Sequence, residues 1–147
     1  MDKAPEGALA LYRQLSKENV NKNAVLLAYR GAALAASAKS AEGVFNKLEC
    51  FKSGTSEIEK AVAMSPTDVE ILFIKLATQE KAPRFLMYFG DIEADKAYIL
   101  KRLEAMPANC PNAYLYQRIC QFLLINRNLD KSEKNLVNQL VVKFKQN

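Results

Sequence analysis

The chain has 147 residues, half of them hydrophobic, with 21 Lys and Arg against 16 Asp and Glu, a formal charge of +5, and no histidine. A chain of that length buries about 68–70% of its unfolded surface in one ordinary domain, and five glycines and five prolines are too few for a disordered or collagen-like one. Without histidine the commonest general base and zinc ligand is missing, and Arg30 and Lys39 interrupt the most Ala/Leu-rich stretch well short of the roughly 20 apolar residues that a membrane span needs.

In chain order, Pro5 suits the first position of a helix, and Ala8, Leu11, Tyr12 and Leu15 then line one face until about Lys17, a short helix that packs as a cap. Asn21 or Asn23 caps a second helix that runs to about Lys39. Its Gly31, Ala32, Ala33, Ala35, Ala36 and Ala38 let backbones approach closely; Tyr29 reads as a core side chain and Arg30 as a solvated one. Val44, Leu48, Phe51, Thr55, Ile58 and Val62 follow at alternating steps of four and three, an apolar seam with one polar break. Such a seam fits burial inside the monomer, with a coiled-coil dimer as the alternative. Gly54 in its middle costs about 1 kcal/mol against alanine unless a neighbour presses close, so it reads as a crossing point.

The stretch from Glu57 to Leu76 organises the rest. Ile58, Ala61 and Val62 form one stripe on a helix that must stop near Ser65, because Pro66 disfavours the α conformation in the residue before it. Thr67 then serves as N-cap, with Glu70 completing a capping box. Val69, Leu72, Phe73 and Leu76 form one apolar face of the next helix while Ile71 and Ile74 point roughly opposite, which predicts a helix sandwiched between neighbours. So short a connection makes the two helices antiparallel.

After Gln79 the period is lost. Pro83 breaks the helix, and Arg84, Phe85, Leu86, Met87, Tyr88, Phe89 and Gly90 form a segment dense in aromatics. Arg84, Phe85, Tyr88, Phe89 and Asp91 are the candidate partner-binding residues, with Phe85, Tyr88 and Phe89 as anchors; the competing expectation is that the loop folds back and buries its aromatics. Asp91 caps a helix whose Ile92, Ile99, Leu103 and Met106 face inward, and Glu93 and Asp95 suit the positive end of its dipole better than acid/base chemistry. Pro111 opens a further helix carrying Leu115, Ile119, Phe122 and Leu123, flanked by Tyr114 and Tyr116, which reach toward solvent. Asn126 to Leu129 is a loop. Asp130 with Glu133 starts the last helix, in which Leu136, Leu140, Val141 and Phe144 face inward and Lys143 and Lys145 complement the negative dipole end.

The junction resembles the end of one tetratricopeptide repeat and the start of the next, with Gly54, Ala61 and Pro66 at the crossing, near-terminal alanine and closing proline positions. More specifically, AYRGAALA (Ala28 to Ala35), the turn from Ala61 to Pro66 and APRFLMYFGDIEADKAYI (Ala82 to Ile99) resemble a family of small uncharacterised α-helical Bacteroidetes proteins with degenerate tetratricopeptide-like character. The resemblance implies an all-α fold and carries no activity with it.

Charge is uneven: residues 1–95 hold 12 Lys and Arg against 13 Asp and Glu, residues 96–147 nine against three. Lys101, Arg102, Arg118, Arg127, Lys131 and Lys134 form a candidate basic patch on three helices. Cys50, Cys110 and Cys120 are odd in number and make no C-x-x-C pair, so they read as small buried hydrophobes rather than a zinc site, with their redox state left open. The start Met-Asp-Lys-Ala-Pro reads cytoplasmic, whereas trimming of an export leader would place the same chain in the periplasm or outside the cell. Together these features predict one all-α domain over residues 1–147, about seven helices in a short, irregular tetratricopeptide-like antiparallel array. The expected function is a non-enzymatic adaptor or scaffold that binds a protein partner without a cofactor; the alternative is polyanion or nucleic-acid binding through residues 96–147.

Overall fold

A computed structural model describes residues 4–126 and 129–145, and within them the chain holds seven α-helices and no strand. The fold is all-α. The chain gathers into two compact units, residues 1–88 and residues 89–147. Among the described residues no helix is long and apolar enough to cross a membrane.

The first unit contains α1 (Ala4–Ser16), α2 (Ala24–Ser37), α3 (Val44–Met64) and α4 (Val69–Lys81). α2 is its centre and packs against the other three. Asn23 caps α2, its side chain accepting from the Leu26 amide at 3.0 Å. The helix ends at Ser37 and runs on as a 3-10 turn, Ala38–Ser40.

α2 and α3 run antiparallel and touch backbone to backbone at Gly31 and Gly54. A Cβ added at Gly54 would stand 2.5 Å from both the Ala35 nitrogen and the Gly31 carbonyl oxygen, and one at Gly31 would stand 2.5 Å from the Gly54 carbonyl oxygen. Gly54 is thus the crossing point that its cost in a helix interior implied. Beside it, Arg30 grips Glu57 with both ends of its guanidinium, Nε to Oε2 at 3.1 Å and Nη2 to Oε1 at 2.7 Å, and Nη2 also donates to Asn21 Oδ1 at 3.2 Å. Only 16% of the Arg30 side chain and 18% of that of Glu57 remain exposed, so Arg30 is a clasp between helices rather than the solvated residue expected.

The lengths of α2 and α3 do not match. α3 has 21 residues and α2 has 14, a difference of about 10 Å at 1.5 Å per residue. Counted from the crossing glycines, α3 has ten residues before Gly54 against six of α2 after Gly31, and ten after Gly54 against seven before Gly31, so it overreaches α2 at both ends and slightly more at its start. Phe51, Gly54, Ile58 and Ala61 are buried, while Val44 and Phe45 are 83% and 72% exposed. The apolar seam therefore enters the core from Phe51 onward and is unmatched before it.

The turn into α4 follows the proline argument closely. α3 stops at Met64, and α4 starts at Val69. Its N-cap is Asp68, one residue beyond Thr67: the Asp68 carboxylate accepts from the amides of Glu70 at 2.8 Å and Ile71 at 3.3 Å. Asp outranks Thr at this position, so the T-x-x-E pattern gives way to the neighbouring carboxylate. α4 is buried on two sides, as its pattern predicts: Ile71 and Ile74 join Val20, Leu27, Ala28 and Ala61 in one cluster, and Val69, Leu72 and Leu76 are buried as well.

The second unit contains α5 (Ile92–Ala105), α6 (Ala113–Asn126) and α7 (Lys131–Lys145). α7 packs on both α5 and α6. Ile99, Leu103, Ile119, Leu123, Val137 and Leu140 are buried, and Tyr116, expected near solvent, is only 8% exposed. Its ring meets Phe144 edge to face, centroids 5.5 Å apart. The capping box at the start of α7 forms reciprocally, Asp130 N to Glu133 Oε1 at 3.2 Å and Glu133 N to Asp130 Oδ1 at 2.7 Å. Lys143 serves a neighbouring helix: its ammonium donates to the carbonyls of Leu103 at 3.1 Å and Glu104 at 3.0 Å, at the C-terminal end of α5.

Candidate functional site

The mismatch of α2 and α3 leaves an open groove of about 820 Å³ on the first unit. Tyr29, Ala32 and Ala36 line it from α2, Val44, Lys47, Leu48 and Phe51 from α3, and Phe73, Ala77 and Lys81 from α4. Within α2 and α4 these residues fall at steps of three or four, one stripe per helix. Because Ala32, Ala36 and Ala77 supply half of the two stripes, the floor is low there. The volume lies within the range of natural ligand and peptide sites.

The segment after α4 closes one side. Pro83 leads into a 3-10 turn, Arg84–Leu86, and Met87 then adopts the left-handed conformation, φ 57°. A left-handed residue with a side chain is held against a cost of about 1 kcal/mol, so something must hold it. Tyr88 does. Its hydroxyl donates to Glu59 Oε1 at 2.9 Å, its ring packs edge to face on Phe51 at 6.0 Å, and Lys75 Nζ lies 3.5 Å from the same Glu59 oxygen. With Tyr88 drawn inward, Leu86 packs beside Ala35, Ala38 and Phe51. Phe85 is left 81% exposed on the groove wall.

The rim is positively charged. Lys39, Lys47 and Lys81 line the groove and are exposed, and no carboxylate lines it. Among the described residues none of the three is ion-paired; Glu49 on α3 and Glu80 on α4 lie off the lining. The polar atoms lower down are few. Thr78 Oγ1 donates to its own helix at Ile74 O, 2.9 Å away. Burial first, then the nearby carboxylates of Glu70 and Asp68, push the Tyr29 phenol above its ordinary pKa, so it stays a neutral hydroxyl. Burial, helped by Asp68, also raises the Glu70 carboxyl.

The five candidate partner-binding residues separate. Arg84, Phe85 and Tyr88 belong to the first unit and Phe89 and Asp91 to the second. Phe85 lines the groove, Tyr88 anchors the turn, and Arg84 is exposed beside them. Neither reading of this loop holds for all its aromatics, since one is tied down and its neighbour stands out. Asp91 occupies the N-cap position of α5 with φ 65°, and its side chain makes no capping hydrogen bond. Of the basic set, Lys101, Arg102, Arg118, Lys131 and Lys134 are exposed on the three helices of the second unit, while Arg127 lies outside the described residues.

A basic residue outside that set is held most firmly. Lys96 has 4% of its side chain exposed and pairs with Glu93 at 2.8 Å and Glu133 at 3.0 Å. Burial alone would lower its pKa, but the hydrogen bonds and charges of Glu93 and Glu133 outweigh it and leave the ammonium above its ordinary value. The three cysteines are free, Cys120 buried and the other two partly so. Burial pushes the Cys120 thiol up to about 12. Among the described residues no group of His, Cys, Asp or Glu is placed to hold a metal ion.

Comparison with protein-family models, with curated proteins and with solved structures finds no match for this chain, so its function has to be argued from its own residues.

Proposed function

We propose that the chain is a non-enzymatic protein-interaction module, an adaptor or scaffold that receives an apolar segment of a partner protein in the groove of its first unit. The observation that carries this reading is the groove itself, about 820 Å³ wide open and lined chiefly by Ala, Val, Leu, Ile and Phe. On its lining, Val44 and Phe85 are 83% and 81% exposed. Large apolar side chains gathered on a surface mark interaction sites, because exposing them has no folding benefit. A short tetratricopeptide-like array fits the same arrangement, with α2 and α3 as an antiparallel pair and α4 as the next helix laid against α2. The lining offers lysines, one tyrosine held neutral and one threonine engaged with its own helix, a set that supports binding better than nucleophilic or acid/base chemistry.

The test is comparative co-purification from native extract at low and high salt, using the full chain, Ala36→Trp and Phe85→Asp. Ala36 and Phe85 are exposed, so neither change should disturb folding. A protein retained at both salts by the native chain and lost with both variants is the expected result. Identical recoveries from all three chains would refute the reading.

A further inference from the structure

The rim charge identifies the kind of segment that fits. Resting on the interaction-module reading above, we propose that the groove receives an amphipathic α-helix whose apolar face is flanked by Asp or Glu. The secondary structure of the occupant follows from the floor. Ala32 and Ala36 of α2 and Ala77 of α4 leave a channel between helices in which a further helix can lay its i, i+3, i+4 and i+7 side chains. Among the described residues there is no strand, so no sheet edge is on offer for an extended peptide.

The flanks follow from charge. Lys39 beyond the end of α2, Lys47 near the start of α3 and Lys81 in the last turn of α4 line the groove from three elements. None is ion-paired among the described residues, and no carboxylate lines the groove to compensate them. An acidic flank meets three ammonium groups, whereas a basic flank is repelled by all of them. The same argument disfavours a second copy of this chain seated face to face, because a two-fold pairing would set lysine rim against lysine rim.

The experiment presents the full chain to a displayed library of amphipathic helices of about four turns, with apolar anchors and flanking charges both randomised. Selected peptides are then titrated by fluorescence anisotropy. The expected outcome is enrichment of acidic flanks and loss of binding with Ala36→Trp. Exchange of the flanking acids for lysine should weaken binding on the order of tenfold to a hundredfold, and a Lys39→Glu, Lys47→Glu, Lys81→Glu chain should reverse that preference. If groove-dependent helices emerge with neutral or basic flanks, the charge inference is overturned and the interaction-module reading stands. If no groove-dependent helix emerges, the helical occupant is overturned, and the co-purification decides the module reading separately. A dimer in sedimentation that Phe85→Asp disperses, or stoichiometric binding of a long-chain carboxylate that Ala36→Trp abolishes, would also overturn it, placing another occupant in the groove.

Discussion

Gly54→Ala sets two opposed effects against each other at one atom. In an ordinary helix interior the change stabilises by about 1 kcal/mol, through the better propensity of alanine. Here the new methyl would stand 2.5 Å from the Ala35 nitrogen and 2.5 Å from the Gly31 carbonyl oxygen, where ordinary contact begins at 3.4 Å. Both obstacles are backbone, so no side chain can rotate away, and α2 and α3 have to part by about 1 Å. Overpacking of this kind costs about 1–3 kcal/mol, and an obstacle on two sides places it at the upper end. The net expectation is a loss of about 2 kcal/mol, or about 4–8 °C in Tm for a chain of this size. Urea unfolding followed by circular dichroism measures it. Gly7→Ala is the internal control, since nothing lies within 4 Å of the added atom; it should stabilise by up to about 1 kcal/mol. Gly31→Ala should cost about as much as Gly54→Ala, and the double variant less than their sum, because one separation relieves both. A Gly54→Ala chain as stable as the native one would refute the close crossing and the clasp geometry built on it.

Three further outcomes follow. Glu133→Ala removes both a capping partner and an anion beside buried Lys96, so it should cost about 2–4 kcal/mol in urea unfolding, well beyond the about 1 kcal/mol of a lost cap, and Lys96→Met should restore much of that. With its thiol pushed up to about 12, Cys120 should resist alkylation at pH 8 while Cys50 and Cys110 react, and only unfolding should expose the third thiol. Because the folded thiol ionises later than the unfolded one, its contribution is full below the unfolded pKa of about 8.5 and is lost as pH rises toward the folded value; Cys120→Ala should flatten that alkaline loss. Phe85→Ala should change stability by less than about 0.5 kcal/mol, whereas Tyr88→Ala, which loses the Glu59 hydrogen bond and the Phe51 contact, should cost about 2–4 kcal/mol by the same measurement.

What could be read in advance divides by range along the chain. The stop before Pro66, the Asn23 cap and the Asp130 and Glu133 box depend on residues within four positions of one another, and all are present. Thr67 lost the cap to Asp68 because the two compete at adjacent positions, where the stronger capping residue prevails over the T-x-x-E spacing. The seam through Val44 misled for a different reason. Periodicity identifies a face, but whether that face is covered depends on the reach of α2, set by where the two helices cross. The groove was legible only as a weak pattern. Tyr29, Ala32 and Ala36 form a second stripe on a helix already explained by small-residue packing, and Phe73, Ala77 and Lys81 do so on a helix already expected to be buried on two sides. Nothing local ties those stripes together. Arg30 and Glu57 lie 27 positions apart, beyond any helix-spacing rule, so their pairing could not be seen.

The meeting of Gly31 and Gly54 also fixes a dimension. With no side chain at either position, the helices have a single register in which the backbones can touch, and sliding by one turn would drive Ile58 or Ala35 into the gap. That register determines how much of α3 projects beyond α2, and so how long a binding surface the first unit offers. Moving the glycine of α3 one turn toward its start would retract the projection by about 5.4 Å and close much of the groove. The place of one residue without a side chain thus acts as the ruler for the binding surface.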